Sequence, residues 1–102
     1  MTTVQELIEP GKLDRFCRAW GVVELSLFGS VLHGGLKPGS DVDVLVRFED
    51  NRTLTLESYT DMREELSRLF NGREIDLVEV TRLVDPYRRH EILRTREIIY
   101  AR

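Results

Sequence analysis

One strand with two carboxylates on it constrains this chain most. Val42, Val44, Val46 and Phe48 alternate with Asp41, Asp43, Leu45 and Arg47, the period-two pattern of a β-strand whose faces meet different surroundings. Side chains two apart project to the same side, so Asp41 and Asp43 share a face with their Cα atoms about 6.6 Å apart. Two acids held that close on an otherwise apolar strand are costly, because like charges raise each other's pKa and burial adds a penalty. A hard divalent cation answers the need. Magnesium takes one or two carboxylates together with phosphate oxygens and keeps the rest of its shell as water.

The elements around this strand follow from periodicity and punctuation. Leu13, Phe16, Cys17 and Trp20 fall at i, i+3, i+4 and i+7, an amphipathic helix that Gly21 stops. A short helix over residues 3–9 precedes it, broken by Pro10-Gly11. Val23, Leu25 and Leu27 alternate with Glu24, Ser26 and Phe28 in a first strand that ends at Gly29-Ser30. After the second strand, Leu54, Tyr59, Met62, Leu66, Leu69 and Phe70 mark a helix over residues 54–70, closed by Asn71-Gly72. Residues 74–80 read as a third strand, Asp85-Pro86 as the start of a helix over residues 86–95, and Ile98-Ile99-Tyr100 as a short closing strand. The order predicts an α+β fold: a small mixed sheet of three to four strands with packed helices.

The length of 102 residues matches one domain and one hydrophobic core, so residues 1–102 are expected to form a single unit. With 41% hydrophobic and 32% charged residues, disorder and a disulfide framework are excluded. The net charge of −3 argues against direct nucleic-acid binding through an overall field. Charge is nonetheless uneven: the last 21 residues hold six Arg against three acids, a basic end that suits either an acidic partner or a solvated helix. Cys17 is the sole cysteine and lies on an apolar stripe, which makes it a small core residue rather than a nucleophile. The first residues have early charges and no apolar h-region, and no apolar run approaches spanning length, so a cytoplasmic location without membrane contact is expected.

Two further blocks complete the chemical pattern. Ten residues separate Gly29-Ser30 from Asp41-Val42-Asp43. A glycine at a strand end lets a phosphate approach the backbone, and a short helix after it offers free amide donors. The Ser30 hydroxyl can add a hydrogen bond to a phosphate oxygen. In the third strand Asp76 points opposite to Ile75 and Leu77, so pairing this strand beside the second brings Asp76 to the face of Asp41 and Asp43. Three carboxylates on neighbouring strands can hold two metal ions roughly 3.5–4 Å apart, a clamp for the attacking and leaving oxygens of phosphoryl transfer. Gly-Ser alone is an ordinary turn and Asp-x-Asp alone an ordinary edge strand. Their combination at fixed spacing arises by chance in roughly one sequence of this length in a thousand. No G-x-x-x-x-G-K-[ST] loop, G-x-S-x-G elbow or EF-hand loop is present. His33 and His90 lack metal-ligand spacing, and Lys37, Arg47 and Arg63 are all candidates to reach triphosphate oxygens.

These blocks resemble the nucleotidyltransferases of the polymerase-beta superfamily, and within them the stand-alone minimal nucleotidyltransferases known as MntA-type antitoxins. The resemblance rests on Leu27-Phe28-Gly29-Ser30, Gly34, Ser40 through Val46, Glu74 through Val78, and the closing Ile92-Leu93 and Ile99-Tyr100. It implies a nucleotidyltransferase-like fold, two Mg2+ ions held by Asp41, Asp43 and Asp76, and ATP as substrate, its phosphates held by Gly29 and Ser30. It also gives Asp76 a share in activating the acceptor hydroxyl. The implied partner is a HEPN-type toxin, neutralised by binding and by AMP transfer to a tyrosine, in a homo- or hetero-oligomer. Leu32 and His33 stand where many members carry a small and then a basic residue.

Two other functions are compatible with the same blocks. A non-catalytic nucleotide-binding module could mask a partner by binding alone, but it has no need for a costly carboxylate triad. A small-molecule nucleotidyltransferase generally carries a second domain for its acceptor, and this length leaves no room for one.

Overall fold

The computed structural model describes residues 8–29, 32, 41–49 and 52–102. The expected helix over residues 3–9 falls mostly outside them. Helix α1 spans Pro10–Trp20, followed by strands β1, Val22–Phe28, and β2, Val42–Phe48. Helix α2, Leu56–Leu69, leads to β3, Ile75–Glu79, and a 3-10 turn at Val80–Arg82. Helix α3, Pro86–Thr95, and β4, Glu97–Ala101, close the chain.

Local chemistry sets these boundaries. Pro10 opens α1 in its first turn, where a missing N–H costs nothing; the Pro10-Gly11 pair thus begins a helix instead of only ending one. Gly21 ends it with φ 71°, left-handed backbone that admits glycine most easily, and its N–H bonds back to the Arg18 carbonyl. Thr55 caps α2 reciprocally with Ser58: the Thr55 hydroxyl accepts from the Ser58 N–H at 3.1 Å and the Ser58 hydroxyl accepts from the Thr55 N–H at 2.9 Å. At α3 the Asp85 carboxylate accepts from the Tyr87 N–H at 3.0 Å, with Pro86 in the first turn.

The four strands form one mixed sheet in the order β3-β2-β1-β4. β1 pairs antiparallel with both β2 and β4, and β2 pairs parallel with β3, which requires the crossover that α2 supplies. Alternation along the strands gives each face its own core. On one side Leu25, Leu27, Val42, Val44, Val46, Ile75 and Leu77 pack beneath Phe16 and Cys17 of α1 and Met62 and Leu66 of α2. On the other, Phe28 and Leu45 pack with Val80, Leu83 and Ile92, the last on α3. An indole hydrogen bond from Trp20 to Glu65, 2.6 Å long, ties α1 to α2.

The expected face of β1 needs one correction. Val23 is only partly buried, whereas Val22 is fully buried, because the register between β1 and β2 shifts between Val22 and Glu24. A bulge inserts a residue and reverses parity on its far side. No helix among the described residues is long and apolar enough to cross a membrane.

Candidate active site

The parallel pairing of β2 and β3 sets Asp43 directly opposite Asp76. Neighbouring strands lie about 4.8 Å apart, so these two carboxyl-bearing residues start from adjacent backbone positions. Both take the opposite parity to the main core: Asp43 lies between buried Val42 and Val44, and Asp76 between buried Ile75 and Leu77. Their face is the one that α3 covers further along the sheet through Phe28 and Leu45. Asp76 is exposed and Asp43 partly so, open enough for a ligand.

Gly29 closes the corner from the next strand over. Phe28 pairs with Asp43 across β1 and β2, which sets Gly29 beside the Asp43 side chain. Its φ of 77° lies in the left-handed region, and a Cβ built there would meet the carboxylate at 3.2 Å from Cγ and closer still to Oδ2. The glycine is therefore required twice, by backbone conformation and by the space the carboxylate fills. Asp41 is exposed and immediately precedes β2, two residues ahead of Asp43.

These donors fit a magnesium ion by chemistry, since all are hard carboxylate oxygens around a corner kept free of a side chain. Among the described residues no three His, Cys, Asp or Glu side chains are already gathered around one point for a metal. The backbone unites Asp43 with Asp76, and Asp41 stands two residues before Asp43, ahead of the first residue of β2. Ser30, Gly34, His33 and Lys37 lie outside the described residues. Of the other cations considered, Arg47 shares the carboxylate face by parity but stands four residues further along β2, and Arg63 is on α2, which packs on the opposite face. His90 is exposed on α3. Cys17 is fully buried, and burial pushes its thiol up to about 12, so it stays protonated and unreactive.

Sequence reasoning missed Glu79. It is 4% exposed and its carboxylate accepts from the Leu54 N–H at 2.9 Å, from the Thr53 hydroxyl at 3.1 Å and from the Thr81 hydroxyl. Burial alone pushes its pKa up, but these hydrogen bonds and the nearby Arg82 outweigh it and hold the group below its ordinary value. Parity was the available signal: Glu79 shares the inward face of Ile75 and Leu77.

The model of a family described as nucleotidyltransferase domain matches residues 11–99. The protein adenylyltransferase MntA of Thermococcus cleftensis is 41% identical over 59 residues, 58% of this chain and 57% of that protein. A solved structure of a candidate minimal nucleotidyltransferase is similar at 30% identity and a TM-score of 0.70, covering 94% of this chain and 95% of that one. A toxin-antitoxin crystal structure with AMP-PNP shares the fold at 18% identity and a TM-score of 0.70, over 93% of this chain and 75% of that one. With the family pattern running through both strands that meet at Asp43 and Asp76, this chain belongs to the nucleotidyltransferase domain family.

Proposed function

We propose that this chain is a magnesium-dependent protein adenylyltransferase of the cytoplasm, working as one domain over residues 1–102. It would act as an antitoxin by transferring AMP from ATP to a tyrosine of a HEPN-type toxin. The observation that carries this reading is the register pairing of Asp43 with Asp76 beside the side-chain-free corner at Gly29. Family membership supports nucleotidyl transfer. The protein acceptor takes its support from the MntA relative, which is named a protein adenylyltransferase, and the partner class from the sequence resemblance and the toxin-antitoxin fold neighbour.

In this scheme Asp41 and Asp43 hold magnesium, Asp76 shares it, and Gly29 and Ser30 accommodate the triphosphate. Bound magnesium would neutralise charge on the phosphates and orient them for in-line displacement. Asp76 accepts the acceptor hydroxyl's proton as that oxygen forms a bond to the α-phosphorus. The bond from the α-phosphorus to the bridging oxygen breaks, and pyrophosphate leaves with the electron pair. Docking of the partner would bring the acceptor hydroxyl into proximity with the α-phosphorus. Incubation with labelled ATP, magnesium and the protein encoded by the adjacent reading frame tests the reading, with the modified residue mapped by mass spectrometry. Label on a tyrosine supports it; a tight complex without label favours neutralisation by binding alone, and no complex rejects the antitoxin role.

A further inference from the structure

At the end of the sheet away from the Asp43–Asp76 corner lies a cavity of about 390 Å³, within the range of small-ligand sites. It opens where β2 and β3 run out: Val46, which pairs with Glu79, lines it together with the following Arg47 and Phe48. Arg47 stands four residues after Asp43 on the same strand, about 13 Å of extended chain, so the cavity is no part of the catalytic corner. Val46, Phe48 and Val80 give it apolar walls. Three guanidiniums border it, from Arg47 of β2, Arg52 ahead of α2 and Arg89 of α3.

Each arginine reaches the cavity from a different element, and two of them are held in place. Arg89 is half-buried and donates from Nη1 to the Val80 carbonyl at 2.9 Å, which commits one of its five N–H donors. Arg52 runs over Gly21, where a Cβ would come within 2.6 Å of the arginine Cδ. The Arg47 guanidinium has no hydrogen bond or ion pair among the described residues. The two acids in the lining are matched by cations outside it. Glu49 bonds Arg102 at 2.7 Å and stands 3.8 Å from Arg52, while Glu79 accepts from Thr53, Leu54 and Thr81 beside Arg82. With Arg102 and Arg82 set against these acids, the charge of the three bordering arginines is left in excess. Like charges gathered around one space repel, and an anion between them reverses that cost.

We propose that this cavity is a second anion site, one that takes a diphosphate group, either free pyrophosphate or the terminal phosphates of a nucleotide. The planar fork of arginine meets phosphate oxygens two at a time, so three guanidiniums from three elements suit an anion with more than one phosphate. The Thr81 hydroxyl is committed to Glu79, which leaves recognition to the arginines. The site requires neither magnesium nor an acceptor, and it stands whether or not the Asp43–Asp76 corner transfers AMP.

The test is calorimetry on the whole chain carrying Asp43→Asn, in EDTA and at fixed ionic strength, which removes metal-held phosphate from the catalytic corner. Pyrophosphate should bind with one equivalent, and adding Arg47→Gln or Arg89→Gln should weaken it about tenfold or more, the loss expected of a charge-assisted contact. Because the Arg47 side chain has no bond to lose among the described residues, its variant should keep the thermal midpoint and so separate lost binding from lost folding. Arg15 is exposed on α1, which packs on the opposite face of the sheet, and Arg15→Gln should leave the affinity unchanged. Inorganic phosphate should bind about tenfold more weakly than pyrophosphate. Equal affinity for ADP and pyrophosphate assigns recognition to the diphosphate alone, and tighter ADP binding makes a nucleotide the ligand. Absence of binding, binding that survives both cavity changes, or an equal loss with Arg15→Gln overturns the site.

Discussion

Gly29 and Asp43 occupy one corner so tightly that a methyl group on the first would intrude on the carboxylate of the second. The contact links a turn conformation on β1 to the orientation of an acid on β2. Gly29→Ala adds the strain of a left-handed alanine, about 1–2 kcal/mol, and also displaces Asp43. We expect a drop in thermal midpoint of about 4–16 °C, at about 4–8 °C per kcal/mol in a domain of this size, and a fall in transfer rate beyond what the lost stability accounts for. A variant that transfers AMP at the wild-type rate would separate Gly29 from the site.

Asp43→Asn keeps the side chain's shape while removing its charge. The fold should persist, since the residue belongs to neither hydrophobic cluster, whereas transfer should fall by about a thousandfold, the equivalent of several kcal/mol of transition-state stabilisation. Single-turnover assays with magnesium titrated over a wide range check this; unaltered transfer would rule out metal binding at Asp43.

Asp76→Ala separates two roles. With Asp41 and Asp43 retained, ATP binding measured by calorimetry should change far less than the chemical step, because the acceptor's proton has lost its base. Equal losses in binding and rate would leave Asp76 a ligand only.

Glu79 governs stability through pH. Its folded pKa is held below the ordinary 4.5, so the stabilisation it brings is complete above that value and is lost as acid takes the pH down through the folded value. Glu79→Gln should cost about 1–3 kcal/mol at neutral pH. The gap between the two denaturation curves should narrow only below the ordinary value, and a gap that widened in acid would reverse the assignment.

Cys17, with its thiol pushed up to about 12 by burial, should resist iodoacetamide in the native protein at pH 8 and react once the chain is unfolded. Rapid native alkylation, read by intact mass, would contradict its place in the core.

Much of this molecule is legible in the sequence because its signals are local. The strand of Val42, Val44 and Val46, the stripe of Met62, Leu66 and Phe70, and the Asp85-Pro86 helix start each depend on residues within one element, where parity, period and capping act directly. The same parity set Asp43 and Asp76 on the side opposite their apolar neighbours. Only the tertiary structure decided that β3 pairs parallel with β2 in the register that makes these acids partners, since pairing energy depends on strands far apart in the chain. It also decided that β1 carries a bulge that buries Val22 in place of Val23, and that Phe28 and Leu45 find a second core beneath α3. The buried role of Glu79 likewise depends on main chain and hydroxyls 25 and 26 residues away. A sequence states which side a residue faces; what waits on that side is fixed when the sheet is assembled.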